Sequence, residues 1–271
     1  MLDLLRKKHA LWLVIFFGSM SLPQSRERDK LLDFANIQYR HLKWIAKEIV
    51  KSGQDFDWNR DSIKLSFSHS RELFEALLER LRQIGSGYPR GALFDRIRHD
   101  EEYMIWSLEH FELDVALEAF SKKLTYEGLD QKSLEALVRF LFEEIYKEYE
   151  LILTYTYSQL HTDSARLGLI FEDLIYESMF HLKSFCTIAA KLGILSVPRV
   201  VMEEVYKFDD LKKFLEDGIA EELAAKEQCK ALSSAIKNEE LSRFFAFINY
   251  QEDYHITLMQ EALEAMNDRL T

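Results

Sequence analysis

The chain has 271 residues, and 35 lysines and arginines against 46 aspartates and glutamates leave a formal charge of −11. An apolar share of 48% with 13% aromatics supplies a buried core and excludes a disordered chain, and the acidic balance argues against a nucleic-acid partner, whose phosphates need lysine and arginine to neutralise them. Nine glycines and three prolines (Pro23, Pro89 and Pro198) leave few tight turns for a sheet, so an all-α fold is expected.

The 3.6-residue apolar period predicts helices at 1–20, 26–52, 68–85, 92–122, 131–161, 164–192, 209–236 and 239–269. Ahead of the apolar run Ala10 to Phe17 stand Arg6-Lys7-Lys8, a pattern shared with secretory signals, but the run is too short to span a bilayer and we read it as a structural helix. Two cysteines, Cys186 and Cys229, are too few for a disulfide framework or a four-cysteine metal site, which fits a reducing, cytoplasmic compartment with no membrane partner. The connections at 53–67 and 193–208 are long, and each follows the second helix of a group of four; the other helix pairs are joined by short turns. That wiring is expected of a four-helix bundle with one crossover, formed twice.

The two halves also match weakly in sequence. Tyr39-Arg40-His41-Leu42-Lys43, Lys51 and Gly53 precede Met179-Phe180-His181-Leu182-Lys183, Lys191 and Gly193 by 140 positions. Ile97, Glu101, Glu102, Tyr103 and Ile105 precede Ile248, Glu252, Asp253, Tyr254 and Ile256 by 151. Two matches in the same order favour a tandem duplication, with domains at 1–125 and 126–271.

In the second half, the inward stripe of each helix is apolar at both ends and ionisable in the middle. The stripes carry Glu144 and Glu148 on the first helix, Glu177 and His181 on the second, Glu222 on the third, and Glu252 and His255 on the fourth. Glu148 precedes His181 by 33 residues and Glu222 precedes His255 by 33, which places both pairs at matching heights across antiparallel hairpins. A buried carboxylate that stays ionised needs a partner or a metal, and two divalent cations would balance four such charges. A Glu on each of two helices, with a Glu and a His one turn apart on each of the other two, is the ligand set of a di-iron or di-manganese carboxylate site.

Over residues 131–269 the sequence therefore resembles the ferritin-like superfamily, in the manner of its rubrerythrin and bacterioferritin branches. The resemblance rests on Glu252-Asp253-Tyr254-His255, a Glu-x-x-His, and on Glu177 to His181, where the spacing is four rather than three. It implies Glu148 and Glu222 as single carboxylates, Glu177 and Glu252 as bridges and His181 and His255 as nitrogen ligands, with Glu144 an extra ligand or a neighbour of one. The cofactor implied is two iron ions, or manganese in their place. The activity implied is a di-iron oxidoreductase that takes dioxygen or peroxide, or oxidises ferrous iron. Electrons would come from an external donor, because no cysteine-rich entry domain is present; a homodimer is compatible.

The first half keeps the scaffold without the ligands: Lys8 stands at the register of Glu148, Ile37 at that of Glu177 and Met104 at that of His255, leaving His41 and Glu101. His41 reads as an interior or interfacial histidine, and His9, His69, His99, His110 and His161 as surface residues. Two alternatives stay open: a di-iron oxygenase acting on a small organic substrate, and a metal-free helical interaction protein whose glutamates turn outward or pair with basic residues.

Overall fold

In a computed structural model, residues 1–117 and 126–267 are described, and all regular structure among them is helical. The helices are α1 (Leu2–Ser21), α2 (Arg26–Lys51), α3 (Ser70–Gly85), α4 (Ala92–Glu109), α5 (Gln131–His161), α6 (Ala165–Lys191), α7 (Glu203–Tyr206), α8 (Leu211–Ala235) and α9 (Glu239–Asn267). No described helix is long and apolar enough to cross a membrane. The chain divides into two compact units, Met1–Lys122 with Gly193–Val200, and Lys123–Leu192 with Val201–Thr271.

Helix starts follow local chemistry. Ser25, Asp130, Ser164 and Asp210 precede α2, α5, α6 and α8, and each side chain accepts a hydrogen bond from a first-turn amide. Past the ends of α2 and α6, Gly53 and Gly193 both adopt φ +76, a left-handed turn that a side chain would strain.

In the first unit α1 packs on α2 and α3, and α4 on α3 and α2. Every α1 residue from Lys8 to Ser21 is buried, so the apolar run is the packing core of this unit and has no solvent face. His9 is buried too, contrary to the surface position expected for it: its ring stacks on Trp12 at 5.9 Å and meets the edge of Trp58 at 5.8 Å. Trp58 and Phe56 lie in the long connection after α2, which is thereby anchored on the core rather than free in solvent.

Helix α4 ends at Glu109, well short of the expected 122; residues 118–122 of that expectation lie outside the described residues. Phe111, Leu113, Val115 and Leu117 alternate with Glu112, Asp114 and Ala116, a period of two that suits extended chain rather than helix. The segment runs against the start of α3: the Ser70 amide donates to the Val115 carbonyl at 2.9 Å and the Leu117 amide to that of Ser68 at 2.9 Å.

In the second unit α5 packs on α6, α6 on α9, α9 on α8 and α8 on α5, and the short α7 packs on α5 through the buried Tyr206. Between α5, α6 and α9 the rings of Phe140, Phe185 and Phe245 meet edge to face at 5.3 to 5.4 Å, one of the apolar layers that flank the polar centre.

Candidate metal centre

Glu144, Glu148, His181, Glu222, Glu252 and His255 are all buried in the second unit, none more than 9% exposed. Each lies on the inward face of its helix, where the apolar neighbours one turn away bring it out of water. Ligand atoms of His181, Glu252 and His255 converge to within 4.8 Å of one another, and the two imidazole rings lie 5.1 Å apart. Glu148 joins them through Oε1, 3.0 Å from His181 Nδ1, and Glu252 Oε1 is 3.7 Å from the same nitrogen.

The second pair of carboxylates carries its own cation. Lys147, half-buried beside Glu148, puts Nζ 3.3 Å from Glu222 Oε1. Glu222 is in turn hydrogen-bonded to Glu252, so two buried carboxyls share a site. Burial and the Glu222 charge push Glu252 up to about 10, while Lys147 holds Glu222 below its usual range against the opposing effect of burial. Glu144 is pushed up to about 7 by burial, an effect that Lys147 opposes.

Several atoms here have no hydrogen-bond partner: Glu148 Oε2, His181 Nε2, His255 Nε2, Ser178 Oγ and the Tyr155 hydroxyl; His255 Nδ1 and Glu252 Oε2 make no hydrogen bond either but face each other at 3.4 Å. Buried polar groups in folded proteins are normally satisfied, and orphaning one costs about 1–3 kcal/mol. Unpaired carboxylate oxygens and imidazole nitrogens in one cluster fit a divalent cation, which takes lone pairs and adds the missing positive charge.

Glu177 stands outside this cluster. It is only half-buried, and its nearest recorded partner is the amide of Gln251 at 3.5 Å. The inward stripe of α6 runs from Leu174 through Ser178 to His181, four residues and then three, so the side chain one turn before His181 is a serine. Tyr250 and Tyr254 are 74% and 48% exposed, whereas Tyr155 is buried beside the carboxylates. Lys147 and Ser178 were missed in the sequence. Gln38, buried one turn before His41 at the same register as Ser178, was the signal for the second; a lysine beside an inward glutamate gives none.

At the corresponding register of the first unit the polar centre is complete. Lys8 is fully buried and ion-paired to Glu101, donates to Gln38, and lies 3.3 Å from the Tyr88 hydroxyl and 3.5 Å from His41 Nδ1. Tyr88 donates to Glu101 at 2.8 Å, Gln38 donates to Glu101 at 3.0 Å, and His41 Nε2 pairs with Asp100 at 2.9 Å. An ammonium group here does what a bound cation would do elsewhere, and no buried side-chain atom of Glu101 or His41 lacks a hydrogen-bond partner.

No protein-family model, curated protein or solved structure matches the chain.

Proposed function

We propose that the second unit is a carboxylate–histidine metal protein of the di-iron or di-manganese type, built on one of two duplicated four-helix bundles, and that it acts as an oxidoreductase on dioxygen or peroxide or oxidises ferrous iron. The observation that carries this reading is the convergence of His181, Glu252 and His255 with orphaned ligand atoms in a buried centre. Two histidines and one carboxylate suit ferrous iron, and Glu148 and Glu222 supply carboxylates for a second ion. Two free, buried cysteines agree with a reducing compartment.

Bound iron supplies one-electron chemistry toward dioxygen or peroxide. The chain's own part is positional. Glu148 fixes the His181 ring through Nδ1 and leaves Nε2 available. Lys147 keeps Glu222 ionised, and the aromatic layer of Phe140, Phe185 and Phe245 keeps water from that side. Protein loaded anaerobically with ferrous iron should consume dioxygen or peroxide, and His255→Ala should abolish this; equal rates in the two proteins would refute the reading.

A second reading is favoured by the Lys147–Glu222 ion pair and the outward Glu177: a metal-free helical protein whose acidic centre is neutralised internally. It requires that Glu148 Oε2, His181 Nε2 and His255 Nε2 stay without hydrogen bonds, at about 1–3 kcal/mol each, which is why the metal reading is preferred.

A further inference from the structure

The first unit carries a second polar site that the metal chemistry does not use. A cleft of about 310 Å³ opens between the beginning of α2 and the end of α4, a size at the lower limit of small-molecule pockets. Its walls differ in chemistry.

One wall is aromatic. Tyr103 and Trp106 lie nearly parallel, 6.2 Å apart at 18°, and Trp106 stacks on His110 at 4.6 Å and 29°. Trp106, the middle ring, is nevertheless 56% exposed, and all three rings line the cleft. A lone exposed aromatic is ordinary; three rings in one ladder beside a cleft form a stacking platform.

The other wall is cationic. Arg26 and Lys30 lie in the first two turns of α2, where the helix dipole also favours negative charge. Among the described residues neither is ion-paired, although the chain has an acidic excess, and Lys30 Nζ instead sits 4.8 Å from the centre of the Tyr103 ring. Ser107 of α4, 5% exposed, also lines the cleft, and its hydroxyl makes no close hydrogen bond, interacting only with the Tyr103 side chain. Glu27 and Glu112 also line the cleft, and their charges oppose a polyphosphate or any other dense polyanion.

We infer that this cleft binds a planar aromatic monocarboxylate, with its ring on the Trp106 ladder and its carboxylate held by Arg26, Lys30 and the Ser107 hydroxyl. The platform answers the ring, Arg26 and Lys30, offset by Glu27 and Glu112, answer one negative charge rather than several, and the Ser107 hydroxyl adds a donor for the carboxylate.

The test is a calorimetric titration of the full chain with 1-naphthoate, set beside the uncharged 1-naphthalenemethanol and beside ATP. Saturable one-to-one binding of 1-naphthoate is expected. Lys30→Gln and Trp106→Ala should each weaken it at least about tenfold, and both control ligands should bind at least about tenfold more weakly than 1-naphthoate. Both substitutions are outside the core, so the fold is retained. The inference is overturned if 1-naphthoate does not saturate, if both variants bind it as the wild type does, or if either control binds equally well.

Discussion

Lys8 and Glu101 form a buried ion pair in the first unit, at positions 140 and 151 residues ahead of the second unit's buried Glu148 and Glu252. The first unit pairs its central carboxylate with a fully buried lysine; the second sets four buried carboxylates, Glu144, Glu148, Glu222 and Glu252, around the single ammonium of Lys147 and two histidines. Removing Lys8 would leave Glu101 buried without compensation. Lys8→Met should therefore destabilise the first unit by about 3–5 kcal/mol, and Glu101→Gln in the same chain should recover much of that loss. Urea denaturation of the two variants measures it, and wild-type stability in Lys8→Met would contradict the assignment.

The second prediction concerns acid. Burial and the Arg60 charge push His9 down to about 3, against Asp57, and burial with the Lys8 ammonium pushes His41 down to about 4, against Asp100 and Glu101. Both folded-state values lie below the unfolded histidine value near 6.5, so the unfolded chain binds more protons between them. Stability from these residues is complete above about pH 6.5 and falls as pH drops toward 4, by up to about 1.4 kcal/mol per pH unit for each histidine. Thermal melts between pH 7 and pH 4 should show the loss, and His41→Gln should flatten it.

Glu177 and Ser178 separate what could be read from the sequence from what could not. Element order, the caps and the inward faces of α5, α8 and α9 follow from period and punctuation, and Glu148, Glu222, Glu252 and His255 are buried as their stripes require. On α6 a stripe stepping three then four and one stepping four then three fit the apolar ends equally well, and only packing distinguishes them, in favour of Ser178. The end of α4 was legible in the alternation after Phe111, but the helical pattern before it hid the change. Lys147 was not legible: a long side chain reaches its partner from a position off the inward face.

That placement gives a third prediction. Glu177→Gln should leave metal content unchanged, whereas Glu252→Ala should remove it. Elemental analysis of the two variants, purified alike, tests the pair, and loss of metal in Glu177→Gln would return that residue to the site.

Lys147 gives the fourth. Its ammonium competes with an incoming cation for Glu222 and repels it, so Lys147→Met should tighten metal binding by roughly tenfold. The same change removes the only lysine within 4.0 Å of Glu222 among the described residues, and should lower the stability of the metal-free protein. Metal titration and thermal melting of one variant thus move in opposite directions; weaker metal binding would contradict the assignment.

The most direct test is the metal content of the wild-type chain after purification without chelators and equilibration with ferrous iron or manganese. The account predicts about two ions per chain, reduced to none by His255→Ala. A wild-type chain that retains no transition metal under these conditions would contradict it.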